Sequence, residues 1–156
     1  MKLLTDFSTF RERHLGALEQ DQARFNLLLG ILNRAEQSPE KVRYWSLGGA
    51  TKCAVQTPPN YIVLGELDED DCSALAPEIS SLDFLGCSGS GNSAVLLVAA
   101  LRKHNLHMEL EKSLRIYSLT KAPKFPKAPG KGSLMTKNHL EIYVQWLIAF
   151  ARDTKQ

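Results

Sequence analysis

The sequence predicts a mixed α/β (α+β) domain, a central β-sheet flanked by helices, in the order α-α-β-β-α-β-α-β-α. Three observations predict it. Apolar residues recur at helical spacing near both ends and twice in the middle. Short runs rich in β-forming residues lie between those helices. Strand and helix then alternate, which calls for a sheet with helices on its faces. The 156 residues, 44% hydrophobic and 23% charged, suit one domain over 1–156, with no internal repeat.

Taken in order, the first segment is Phe7–Ala35. Phe7, Phe10, Leu15, Leu18, Phe25, Leu28, Leu29 and Leu32 recur as on a helix, Asp6 or Ser8 caps the start, and Gly16 is a point where it divides in two. Leu27–Leu32 is apolar apart from Gly30, so this turn is expected to be buried all round. Gln37-Ser38-Pro39 ends the region. Tyr44–Thr57 carries the alternation Thr51, Cys53, Val55, Thr57 against Lys52 and Gln56, with a bend or hairpin at Gly48-Gly49. Tyr61–Leu64 is a second strand, and the intervening Pro58-Pro59-Asn60 turn makes the two antiparallel neighbours.

Asp68–Leu82 reads as an acidic amphipathic helix with Leu75, Ile79 and Leu82 inward. Phe84–Cys87 is a short strand, Ser88–Asn92 a Gly/Ser loop, and Ala94–Asn105 an apolar helix ending in Arg102, Lys103 and His104. Met108–Leu119 reads as a strand, Leu114 and Ile116 alternating with Arg115 and Tyr117. Ala122–Gly132 is a Pro/Gly loop. Lys137–Arg152 is a last helix, with Leu140, Tyr143, Val144, Leu147, Ile148 and Ala151 on one side.

Composition excludes several classes. A net charge of +2 at this apolar content is not that of a disordered chain. The longest apolar run, Ala94–Leu101, has eight residues, whereas a membrane span needs about 20. Cys53, Cys72 and Cys87 are too few and too scattered for a disulfide scaffold. With no export segment visible, the expected compartment is the cytoplasm. The charge balance does not call for a nucleic-acid partner.

The chemistry-bearing candidates are few. Gly86-Cys87-Ser88-Gly89-Ser90-Gly91-Asn92 lies between a strand and a helix, where backbone N–H groups can hold a phosphate. It lacks the Gly-Lys-Ser/Thr of a phosphate-binding P-loop, the spacing of a dinucleotide fingerprint, and, by one residue, the Gly-x-Ser-x-Gly elbow. The competing reading is a tight turn with Ser90 or Asn92 as helix cap. Asp68-Glu69-Asp70-Asp71 is either a hard-cation site or a solvated helix start favoured by the macrodipole. It lacks the spacing and central glycine of a calcium loop. Lys121, Lys124, Lys127, Lys131 and Lys137 form a basic stretch without an acid, either a solvated connector or a site for an acidic partner. Phe125 is the one aromatic among them, which argues against stacking on single-stranded nucleic acid. His104 and His107, and the distant His14 and His139, lack metal-site spacing. The cysteines read as small buried residues, with Cys87 the one to inspect. Arg115 and Tyr117 share a face that either lines a cleft or meets a neighbouring strand.

Together, segments spread over nearly the whole chain resemble the N-terminal domain of two-domain proteins in the GNAT superfamily of acetyl-coenzyme-A-dependent N-acetyltransferases. Arg24-Phe25-Asn26-Leu27-Leu28-Leu29-Gly30-Ile31-Leu32 resembles an early "N-L-L-L-G-I-L" helix. Ala54-Val55-Gln56-Thr57-Pro58-Pro59-Asn60-Tyr61 resembles a strand–"T-P-P"–strand turn. Leu85-Gly86-Cys87-Ser88-Gly89 resembles a "G-V-x-G" step before a helix, and Leu114-Arg115-Ile116-Tyr117-Ser118-Leu119 an "R-x-Y-x-L" strand. Pro129-Gly130-Lys131-Gly132 and Gln145-Trp146-Leu147-Ile148-Ala149-Phe150 resemble the "P-x-G" loop and "W-x-x-x-F" helix that close that domain.

The resemblance implies a GNAT-like sheet and a lobe preceding a catalytic domain that does not follow here, as in a truncated chain or a short natural protein. The family's coenzyme signature is Arg/Gln-x-x-Gly-x-Gly/Ala. The nearest string, Gly86–Gly91, has glycine at the first position and falls at an ordinary turn of the lobe. The family chemistry is direct attack of an amine on the thioester, and none of its roles carries over to a residue here. The expected function is therefore structural or cleft-forming, with a GNAT catalytic domain or a second copy as partner. No catalytic residue, metal ligand or cofactor is assigned to this chain alone. The alternatives are a minimal acetyltransferase cradling acetyl-CoA on Ser88, Gly89, Ser90, Gly91 and Asn92, with Tyr117 or a nearby carboxylate as acid/base, and a small binding module built on the lysine-rich 121–137 segment.

Overall fold

The computed structural model describes residues 2–4, 6–89, 92–109, 113, 115–119, 121 and 131–154. The chain forms two compact units, Met1–Ser118 and Leu119–Gln156.

Among its described residues, the first unit is a five-stranded mixed sheet with helices on both faces. Strands β1 (Lys2–Leu4), β2 (Arg43–Ser46), β3 (Cys53–Gln56) and β4 (Ile62–Leu64) form an antiparallel meander in chain order. The chain then crosses through a helix to β5 (Cys87–Gly89), which lies parallel to β4 with Val63 opposite Ser88. The helices are α1 (Phe7–Glu19) and α2 (Asn26–Ala35) before the meander, α3 (Glu69–Ile79) in the crossover, and α4 (Ser93–Arg102) after β5.

Strand periodicity sorts the core into two clusters. Tyr44, Cys53, Val55 and Val63 point to one face and meet Phe10, Leu18, Phe25, Leu28 and Leu32 of the α1–α2 segment. Trp45, Ala54, Ile62 and Leu64 point to the other and meet Cys72, Leu75, Ile79, Leu97 and Leu101 from α3 and α4. Both faces are covered, so every residue of β3 and β4 is buried, including the polar Gln56. Gln56 is accommodated because Nε2 donates to the Asn60 and Asp83 carbonyls (3.1 and 2.9 Å) and Oε1 accepts from Arg43 (3.0 Å). The β3–β4 turn is the expected Pro58-Pro59-Asn60, closed by Asn60 N–H donating to the Thr57 carbonyl at 2.9 Å. Beyond it the two strands approach so closely that a Cβ on Gly65 would lie 2.1 Å from the Thr51 carbonyl oxygen.

Several boundaries differ from expectation for identifiable reasons. The first helical region does divide, but between Glu19 and Asn26 rather than at Gly16. Gly16 sits on the exposed side of α1, opposite Phe10, His14 and Leu18, so nothing forces a break there. Asp21 starts the new turn, its carboxylate accepting from Arg24 N–H at 3.1 Å. Asp6 is the cap of α1, bound by the N–H groups of Ser8 and Thr9. Leu27–Leu32 is not buried all round. Leu28 and Leu32 are buried while Leu27 is half-exposed, because one face of α2 meets the sheet and the other meets solvent.

The strand expected at Phe84–Cys87 begins three residues later. The Asp83 carbonyl is held by Gln56, Phe84 packs against the α3–α4 core, and pairing with β4 starts where Ile62 N–H meets the Gly86 carbonyl at 2.9 Å. Met108–Leu119 does not form the expected strand in its described residues. Leu106 and Met108 pack against the helical core. Ile116, Tyr117 and Leu119 lie exposed, and among the described residues they have neither a ladder partner nor a covered face, the two things that stabilise an extended segment. Leu114 and residues 110–112 lie outside the described residues.

The second unit contains a single turn of 3-10 helix at Lys137–His139 followed by α5 (Leu140–Asp153). Thr136 N–H donates to His139 Nδ1 at 3.0 Å to start it. No residue of α5 is buried, and Leu140, Trp146, Ile148 and Phe150 are each more than half exposed.

Candidate functional site

The glycine step into α4 is a local feature with a candidate chemistry in the sequence. The structure assigns its residues different roles. Ser88 and Gly89 are strand residues of β5 rather than loop residues, because the ladder to β4 continues to the Leu64–Gly89 pair. Ser90 and Gly91 lie outside the described residues. Asn92 occupies the cap position of α4 with helical backbone angles, and its side chain makes no capping bond.

Both described glycines have a packing reason. A Cβ on Gly86 would lie 2.8 Å from the Tyr61 ring, and one on Gly89 would lie 2.9 Å from Leu64 Cβ. Each glycine therefore lets β5 sit close under a side chain of the β4 region, which is the usual meaning of glycine in a strand. Ser93 opens α4 facing inward. It is buried, and its Oγ accepts from Leu67 N–H at 2.9 Å. Its carbonyl accepts from Cys72 Sγ at 3.7 Å. The Ser93 hydroxyl thus ties the β4–α3 junction to α4.

The thiols are not set up as nucleophiles. Burial raises Cys53 to about 12 and Cys87 above its ordinary value; burial first, then the Asp71 and Asp68 charges, raise Cys72 to about 12. The thiolate is the reactive form, and all three environments disfavour it.

The acidic run starts α3 through a reciprocal capping box. Asp71 N–H donates to Asp68 Oδ1 (2.9 Å), and Asp68 N–H donates to Asp71 Oδ2 (3.2 Å). Lys52 then clasps both carboxylates, with Nζ 2.7 Å from Asp71 Oδ2. This pairing holds Asp68 down at about 2, through the Lys52 bond first and the Asp71 N–H next, and raises Lys52. The helix start is thus only partly solvated, since Asp71 is buried. Among the described residues, no three His, Cys, Asp or Glu groups converge as a metal site. A second ion pair lies nearby: Arg24 pairs with Glu66, which also accepts from Thr51 Oγ1 at 2.9 Å.

Arg115 and Tyr117 are exposed. His104 and His107 are exposed just after α4. Lys121, Lys131 and Lys137 are exposed, while Lys124 and Lys127 lie outside the described residues. Open hollows among the described residues include one of about 600 Å³ along α1 from Phe7 to Glu19 and one of about 250 Å³ lined by Met135, His139 and Tyr143. Neither includes a described residue of the Gly86–Asn92 step.

His14, set aside above as a metal ligand, is a buried polar site. His14 is fully buried, with Nδ1 2.8 Å from the Ala50 carbonyl and Nε2 2.9 Å from Ser46 Oγ. Its position was the available signal: four residues after Phe10 and four before Leu18, it falls on the apolar stripe of α1.

No family model, curated protein or solved structure matches the chain. Among the described residues, no helix is long and apolar enough to cross a membrane.

Proposed function

We propose that this chain is a GNAT-related N-terminal domain that works as a scaffold lobe, packing against a GNAT catalytic domain or a second copy and shaping an amine-substrate cleft, without catalysis of its own. The observation that carries the non-catalytic reading is the packing role of Gly86 and Gly89. Glycines of a coenzyme cradle stay bare so that backbone N–H groups reach the pyrophosphate. Here bareness is required by Tyr61 and Leu64, and the α4 start turns its Ser93 hydroxyl inward onto Leu67.

The family resemblance is supported by where its motifs fall. The "N-L-L-L-G-I-L" residues Asn26–Leu32 form most of α2, the Thr57-Pro58-Pro59 turn joins β3 to β4, and Gly86–Gly89 leads through β5 to α4. The Leu114–Leu119 motif departs from the pattern, since its described residues form no strand. The Trp146–Phe150 motif lies on α5 in the second unit.

The test is a thermal-shift titration of the full chain with acetyl-CoA, paired with a thiol-release assay over a panel of amines. A ligand present at one hundred times its Kd stabilises the folded form by about 2.7 kcal/mol, which raises Tm by about 5–10 °C in a chain of this size. The expected result is no shift and no thiol release. A saturable shift, or turnover by the chain alone, would replace the scaffold with the minimal-enzyme reading.

A further inference from the structure

The buried imidazole of α1 is wired to a loop that in turn holds another helix. His14 reaches the Leu47–Lys52 connection between β2 and β3 through the Ala50 carbonyl, and reaches the end of β2 through the Ser46 hydroxyl. Arg13, the preceding residue, donates to the Gly48 carbonyl of the same loop at 2.8 Å. Gly48 turns with φ +107°, and the loop closes on itself where Leu47 N–H meets the Lys52 carbonyl at 2.9 Å. Lys52, at the loop's end, clasps Asp68 and Asp71 at the start of α3.

The hydrogen bonds at His14 fix one proton, and burial of the ring favours the neutral form. A carbonyl only accepts, so Nδ1 must carry the hydrogen toward Ala50. Nε2 either accepts from the Ser46 hydroxyl or, when protonated, donates to it, and burial of the ring favours the neutral form in which it accepts. A second proton on Nε2 would face a hydroxyl that now needs another acceptor, inside a core site beside the Phe10 ring at 4.6 Å. From its own helix, the neighbouring charge is Arg13, which opposes a proton. Among the described residues, the ring bonds the Ser46 hydroxyl from β2 and the Ala50 carbonyl from the loop, while the loop's cation, Lys52, is engaged with Asp68 and Asp71. No carboxylate offsets the charge among the described residues.

We propose that His14 is an acid-sensitive latch: the neutral imidazole fastens the Leu47–Lys52 loop to α1, and protonation releases that loop together with its grip on the start of α3. Burial, the largest effect on the ring, lowers its proton affinity, so the latch stays shut at neutral pH. Release occurs on the acid side of the ordinary histidine range and leaves β3–β4 pairing in place.

The experiment is amide hydrogen exchange of the full chain between about pH 7.5 and pH 5, expressed as protection factors, with the imidazole nitrogens followed by NMR. The expected protection of the Leu47 and Lys52 amides falls by about tenfold for each pK unit by which His14 is displaced, while the Val63 amide is unchanged. In His14→Asn, which keeps a donor toward Ala50 and cannot titrate, the Leu47 and Lys52 protection is flat across this range. The NMR titration of the unaltered chain stands if that variant does not fold. It must show an Nδ1–H tautomer and a depressed pKa. A His14 that titrates at its ordinary value with loop protection unaltered, or an identical acid loss in His14→Asn, would overturn the latch.

Discussion

At Gly65, a single hydrogen atom in place of a methyl group decides whether β3 and β4 can lie as close as they do. The Thr51 carbonyl fills the space where a Cβ would stand, and Gly65 N–H and Glu66 N–H donate to the Cys53 and Thr51 carbonyls at 2.8 and 3.0 Å. Gly65→Ala must push two backbones apart and is expected to cost at least about 2 kcal/mol in chemical denaturation. Gly16 is the opposite case. A Cβ there meets nothing within 4 Å, and the residue lies inside α1. Gly16→Ala should stabilise the chain by about 0.5–1 kcal/mol, through the restricted unfolded state and better helix propensity. Gln56 gives a third residue-scale test. Gln56→Ala removes a fully buried amide and leaves the Asn60 and Asp83 carbonyls without their donor, for an expected loss of about 1–3 kcal/mol. These roles were not legible in advance, because a glycine or glutamine in a string does not announce which backbone will pass beside it.

At the scale of elements, the start of α3 has a defined pH response. Asp68 is held at about 2 in the folded chain against an ordinary 3.8, chiefly by Lys52. A lowered folded-state pKa means the unfolded chain binds the proton more readily. The stabilisation is therefore present above about pH 3.8 and is lost as the pH falls toward about 2. Lys52→Met should flatten this acid limb in denaturation midpoints taken from pH 5 to pH 2, and an unchanged limb would count against the clasp. Asp68→Asn keeps a capping oxygen and should retain more of the helix than Asp68→Ala, read as the Tm difference between the two. Helix existence was legible from periodicity, and so was the favourable acidic first turn. The partner was not, because Lys52 lies 16 residues away and meets Asp68 only once the β2–β3 loop is folded. The same holds for β5. Its existence could be read from the sequence, but its register depends on Gln56 holding the Asp83 carbonyl and on Ile62 meeting Gly86.

At the scale of the whole molecule, the first unit is a sheet used on both faces. That explains why β4 reads as a continuous apolar run, and why polar residues of the sheet, Ser46 and Gln56, are buried in hydrogen-bonded positions. The mixed class, the flanking helices and the antiparallel β3–β4 pair followed from pattern and turn chemistry. The Met108–Leu119 strand did not, since alternation alone supplies no ladder partner. The glycine step could be located in the sequence, but its purpose depends on which side chains pass over it. Tyr61 and Leu64 fill the space beside Gly86 and Gly89, and that proximity underlies the scaffold reading. The most direct test follows the backbone amides of Gly86, Ser88, Gly89 and Asn92 by NMR during titration of the full chain with coenzyme A to millimolar concentration. The scaffold account predicts that these four resonances stay in place. Saturable displacement of them, with the rest of the sheet unmoved, would contradict it.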